Sequence, residues 1–193
     1  MSFGFAGVHM LMPSLQTIPV AKETRILLLG AQDFALTYDQ LVAFFRRHQF
    51  KFHDVPVAER RMTEGFAFVD NKDWWMYKDF IHQETLFKML GFEPYQIVTL
   101  DVSDYEHADL IHDLNMPVLP SFGQFDFILN QGTLEHIFDI RQAMWNLSDL
   151  TKNEGQIVHM VPAGFLEHGF YNFNAGFFSD FYDQSRWKTE DLF

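Results

Sequence analysis

Four short apolar runs, each stopped by a glycine, a proline or a polar residue, constrain this chain more than any other feature. Residues 25–29 (Arg-Ile-Leu-Leu-Leu) stop at Gly30, and residues 96–100 (Gln-Ile-Val-Thr-Leu) stop at Asp101. Residues 125–129 (Phe-Asp-Phe-Ile-Leu) stop at Asn130, and residues 156–161 (Gln-Ile-Val-His-Met-Val) stop at Pro162. Runs this short, rich in branched and aromatic side chains, read as buried strands. Residues 108–114 are a further, shorter candidate. Helical patterns separate them. Residues 38–48 place Leu41, Val42, Phe44 and Phe45 on one side, with Thr37 or Asp39 as N-cap. Residues 79–90 carry Phe80, Ile81, Leu86, Phe87, Met89 and Leu90 and close at Gly91. Residues 138–150 repeat the pattern with Phe138, Ile140, Ala143, Met144, Leu147 and Leu150. Residues 49–78 mix aromatics with charges and read as an irregular insertion or lid.

Strands that alternate with helices imply βαβ units and a parallel sheet. The expected class is α/β, a Rossmann-like, doubly wound, mostly parallel sheet in a single domain over 1–193. The chain has 26 acidic and 14 basic side chains, a net charge of −12, which argues against a nucleic-acid partner. Arg46, Arg47, Lys51, Arg60 and Arg61 form two short clusters, read as solvated surface. The absence of cysteine excludes disulfides, thiolate nucleophiles and cysteine-held metal centres. The first 21 residues carry no Lys, Arg, Asp or Glu, but Pro13, Ser14, Gln16 and Pro19 interrupt them and no basic segment leads them. No run reaches the ~18 apolar residues of a membrane span. A cytoplasmic protein with no membrane partner is the expectation.

Open α/β sheets bind ligands beyond the carboxyl ends of their strands, so the residues after each run matter most. Gly30 lets backbone amides approach a ligand, although a full glycine fingerprint is missing. Asp101 can accept two hydrogen bonds from a ribose diol, with Asp104 as the competing carboxylate and a turn aspartate as the plain alternative. Asp113 could take an exocyclic amine or simply close an Asx turn toward Pro117. Asn130, Gln131, Gly132, Thr133, Leu134, Glu135 and His136 form the densest polar cluster. Glu135 and His136 are adjacent and so face different ways. His168 lies in an aromatic-rich loop and is a natural general base. Nine histidines contain no H-E-x-x-H, and no metal site is assigned.

These strand ends together resemble the class I S-adenosylmethionine-dependent methyltransferases over approximately residues 25–182. The resemblance rests on 28–30 (Leu-Leu-Gly), 100–106 (Leu-Asp-Val-Ser-Asp-Tyr-Glu), 108–115 (Ala-Asp-Leu-Ile-His-Asp-Leu-Asn), 125–136 and 168–171 (His-Gly-Phe-Tyr). It looks like a poorly characterised bacterial subgroup. It implies Gly30, Ala31 and Gln32 by the methionine moiety of S-adenosylmethionine, Asp101 on the ribose and Val102 flanking the adenine. It further implies Asp113 and Leu114 at the adenine edge, and Asn130, Gln131 and Gly132 on the methyl-donor side, with Glu135 nearby. His168, then His136, would serve as base for a small-molecule acceptor. The family usually adds a helix and two strands after the fifth, so the sheet is expected to lack its last strands, and a homo-oligomer could complete its edge. The competing readings are a non-catalytic binding or scaffold protein on a degenerate methyltransferase fold, and a nicotinamide-dependent oxidoreductase.

Overall fold

The computed structural model describes residues 2–62, 80–104, 106–164, 167–183 and 187–188. In chain order they form β1 (Ser2–Phe3), α1 (Phe5–Thr17), β2 (Ile26–Leu29), β3 (Asp33–Thr37), α2 (Tyr38–His48), β4 (Phe80–His82) and α3 (Gln83–Met89). There follow β5 (Ile97–Asp101), β6 (Leu110–Ile111), β7 (Phe125–Gln131), α4 (Ile140–Leu150), β8 (Thr151–Met160) and α5 (Ala175–Asp183). Five strands make one sheet in the order β6-β5-β2-β7-β8, and every neighbouring pair is parallel.

The central strand explains why both faces are covered. Ile26, Leu27, Leu28 and Leu29 are all fully buried, and side chains alternate across a strand. Ile26 and Leu28 join a core with α1, α2 and α3, through Leu11, Leu41, Phe45, Leu86 and Phe87. Leu27 and Leu29 join a second core on the other face, with Met144 and Leu147 of α4 and Phe178 and Tyr182 of α5. A parallel strand buried on both faces reads as a continuous apolar run, which is what residues 26–29 are.

The chain runs from β2 out to β5 and β6, then returns to build β7 and β8 on the opposite side of β2. In open sheets of this order ligands bind outside the strand ends at such a reversal, here the carboxyl ends of β2 and β7. The α/β class and the parallel, Rossmann-like sheet are therefore as expected. Beyond β8 the described residues hold α5 and no further strand. No helix among them is long and apolar enough to cross a membrane.

Several elements differ from the sequence expectation. Residues 80–82 open the segment 79–90 as a strand, and the helix starts only at Gln83, where His82 Nδ1 accepts the Glu84 amide. The reason is an unforeseen partner. Phe80 and His82 pair antiparallel with Thr37 and Asp33 of β3, and Ile81 bridges Met62. With β1 these strands form a separate three-stranded sheet, β1-β3-β4. Residues 108–114 contribute only the two-residue β6. β7 runs two residues past 129, and β8 begins at Thr151, with a register irregularity between Phe125 and Phe127. Residues 49–62 are irregular apart from a short 3₁₀ turn at Val57–Glu59. The remainder of the expected insertion, 63–78, lies outside the described residues.

Candidate functional site

The turn after β2 is shaped by backbone sterics. Gly30 has φ of +77°, a conformation that costs an L side chain about 1–2 kcal/mol. Its amide donates to Leu100 O at 2.8 Å, which ties the turn to the end of β5. A side-chain carbon at Gly30 would sit 3.7 Å from Asp101 Oδ2, 3.8 Å from Thr133 Oγ1 and 4.0 Å from Gln32 Nε2. Three polar tips, each delivered from a different strand end, thus surround a bare stretch of backbone.

Each tip is held. Asp101 Oδ1 accepts the Ser103 amide at 3.0 Å, while Oδ2 is the oxygen on the Gly30 side. Thr133 Oγ1 donates to Leu29 O at 2.8 Å. Gln32 is buried, and its Nε2 donates to Leu29 O at 2.9 Å while its backbone amide donates to Gln83 Oε1 at 2.6 Å. Gln32 Oε1 is buried without a hydrogen-bond partner among the described residues. Ala31 is half-buried beside it. Val102 is 68% exposed, an apolar surface next to the Asp101 carboxylate. Asp104 is exposed, and its carbonyl closes the turn to the His107 amide.

The rim is not uniform. Asp113 is exposed and Leu114 buried. Asp113 Oδ1 accepts both the backbone and the side-chain amide of Asn115, at 2.9 and 2.7 Å. Those donors, the backbone one first, hold its carboxyl below the usual carboxylate value. This is the Asx turn that the sequence left as the alternative to a ligand contact. Asn130 is fully buried at the end of β7, and its Oδ1 accepts the Leu134 amide at 3.2 Å. Its Nδ2 lies 3.1 Å from His159 Nδ1, so the side chain is committed to its neighbours in the sheet. Gln131 is buried, and its Oε1 has no hydrogen-bond partner among the described residues. Gly132, at φ +69°, closes the strand by donating to Met160 O at 3.0 Å.

Beyond Gly132 the 3₁₀ turn Leu134–His136 turns Glu135 inward and leaves His136 exposed. The loop carrying His168 packs directly onto this turn. Phe170 N donates to Glu135 O at 2.7 Å. A side chain at Gly169 would lie 2.6 Å from that same oxygen, so only glycine allows the approach. His168 Nε2 comes within 3.4 Å of Glu135 Oε1, and the His136 and His168 rings meet edge to face at 5.0 Å. Phe138 and Phe170, 71% and 63% exposed, pair at 5.5 Å and form an aromatic lip beside the two imidazoles. Tyr171 Oη donates to Phe138 O at 2.6 Å and fixes the lip to the loop.

The fold therefore gathers Gly30, Gln32, Asp101 and Thr133 at one point of the rim, and Glu135, His136 and His168 at another. It keeps Asp113 in its own turn. Thr133 was not singled out from the sequence, although it lies inside the polar cluster after β7. His159 carries no site signal in the sequence, since a histidine inside an apolar strand is indistinguishable there from a core residue. Comparison with protein-family models, with curated proteins and with solved structures finds no match for this chain.

Proposed function

We propose that this protein binds S-adenosylmethionine across the carboxyl ends of β2 and β5 and transfers its methyl group to a small organic acceptor. The observation that carries the reading is the positive-φ turn at Gly30, at the end of the central strand, with Asp101 Oδ2 and Thr133 Oγ1 within van der Waals reach of it. Glycine there leaves room for a ligand to lie on the main chain. A carboxylate at that distance suits a vicinal diol, since its oxygens together offer about four acceptor positions. Val102 gives an apolar surface for an adenine face. Gln32 and Gln131, whose buried carbonyl oxygens have no hydrogen-bond partner among the described residues, suit a ligand that brings N–H donors, as an amino-acid ammonium does.

When bound, S-adenosylmethionine supplies a methyl group already activated by its sulfonium. The chain's own residues then have modest tasks: to hold the donor, align the acceptor and exclude water. Phe138 and Phe170 would stack a compact planar acceptor at the lip. His168, or the more exposed His136, would take a proton where the acceptor must lose one. The net charge of −12 opposes a polyanionic acceptor.

Calorimetry with S-adenosylmethionine, S-adenosylhomocysteine and NAD tests the reading. The expected result is binding of the first two, and an affinity at least about tenfold lower in Asp101→Ala, because hydrogen bonds to a charged acceptor contribute about 1.5–3 kcal/mol. Binding of NAD instead, or of none of the three, overturns it. Binding without methyl transfer to any of a panel of small acceptors favours the scaffold alternative.

A further inference from the structure

Glu135 poses a problem that the proposed reaction leaves unsolved. Its side chain has 0% exposure, yet neither carboxylate oxygen accepts a hydrogen bond from a described residue. A buried carboxylate without compensation is costly. The polar group the structure sets against it is an imidazole, His168 Nε2, at 3.4 Å from Oε1. His136 completes the group from the exposed side, and one donor atom from each of the three residues lies within 4.8 Å of the others.

We propose that Glu135, His136 and His168 bind a divalent first-row transition-metal ion at the carboxyl rim of the sheet. Two imidazoles and one carboxylate are a borderline-soft nitrogen and oxygen set, suited to zinc, iron, cobalt or manganese and poorly suited to calcium or magnesium. Bonds of about 2.0–2.2 Å to such an ion place its ligand atoms about 3–4 Å apart. The cluster therefore needs to close by about 1 Å, a movement that would fall on His136, the exposed member of the three. The ion would neutralise the buried carboxylate and leave coordination positions open toward the Phe138–Phe170 lip. Gly169 is part of the device, because its missing side chain lets the His168 loop rest on the Glu135 carbonyl. With the imidazole lone pairs on the metal, the base role given above to His168 or His136 would pass to the ion: a hydroxyl bound to it would be acidified and would lose its proton to solvent water.

This inference stands on its own residues and does not depend on the methyl donor. The test is titration of the full-length, chelator-treated protein with Zn²⁺, Mn²⁺ or Co²⁺, with no S-adenosylmethionine present, read by calorimetry and by the visible spectrum of the Co²⁺ form. We expect one ion per chain. Loss of a ligand should cost more than the roughly 10–100-fold typical of an outer hydrogen-bond partner, in both Glu135→Gln and His136→Ala. His136 is exposed, so its variant keeps the protein folded if the buried Glu135 variant does not. Gly169→Ala should weaken the ion by displacing the loop, and His48→Ala, beside His9 on another surface, should change nothing. Absence of stoichiometric binding overturns the proposal. So does Zn²⁺ affinity that His136→Ala leaves intact, or Mg²⁺ binding as tight as Zn²⁺.

Discussion

Asn130, His159 and Tyr182 form a hydrogen-bonded chain that fixes the imidazole tautomer. Asn130 Oδ1 accepts the Leu134 amide, so Nδ2 must donate to His159 Nδ1. The ring proton then sits on Nε2, 2.6 Å from Tyr182 Oη. Phe178 stacks on the imidazole at 4.4 Å. Burial pushes the imidazole down from 6.5 to about 3 and pushes the Tyr182 phenol up. The folded-state value lies below the unfolded one, so the unfolded chain binds the proton first as the pH falls. The stability held by neutral His159 is therefore complete above about pH 6.5 and is lost progressively between 6.5 and about 3. Urea unfolding across that window should show a flatter profile in His159→Phe than in the parent. At neutral pH that variant should be less stable by about 1–3 kcal/mol, because Asn130 Nδ2 loses its acceptor. A parent and variant with parallel profiles would contradict this account.

At the scale of the element, α2 shows how much can be read locally. Thr37 Oγ1 accepts the Gln40 amide at 3.3 Å, and Gln40 Oε1 accepts the Thr37 amide at 2.9 Å, a reciprocal capping box. Arg46, Arg47 and His48 occupy the last turn, where positive charge suits the helix dipole. Thr37→Ala should cost about 1 kcal/mol in urea unfolding, without changing the denaturant slope. Cap, apolar face and charge all lie within a dozen consecutive residues, so the boundaries 38–48 are legible in advance. Residues 80–82 are not, because Phe-Ile-His fits either period and only the β3 strand across from it decides. α1 was hidden for another reason. Pro13 reads as a breaker, yet Val8, Leu11, Met12 and Leu15 bury one face of a helix that continues to Thr17. Tertiary packing outweighs the lost hydrogen bond. α5 was hidden because its Phe and Tyr residues are as dense as those of the loop before it.

For the whole molecule, charge and topology answer different questions. With 26 acidic against 14 basic side chains, the surface repels phosphate backbones. Fluorescence anisotropy at physiological ionic strength should show no binding of duplex DNA, and saturable binding there would refute the small-acceptor reading as well. Topology, in turn, decides which strand ends meet. The apolar runs and the helical patterns between them determined that this chain builds a parallel sheet, and the structure covers it on both faces, as four consecutive buried side chains at residues 26–29 require. They also marked Gly30 and Asp101 as strand-end residues, since a strand's limits are local. They could not say that Thr133 would stand over Gly30, or that His168 would close on Glu135. Those contacts join segments far apart in the chain, and their distances depend on strand order and on the turn at Gly132. Nor could they separate Asp101 from Asp113, which have the same chemistry and the same local turn: each gives Oδ1 to the amide two residues on, Ser103 or Asn115, and only the fold sets the second oxygen of Asp101 beside the Gly30 turn. Local pattern determines which side chains are buried, and only the folded arrangement decides which polar atoms find each other.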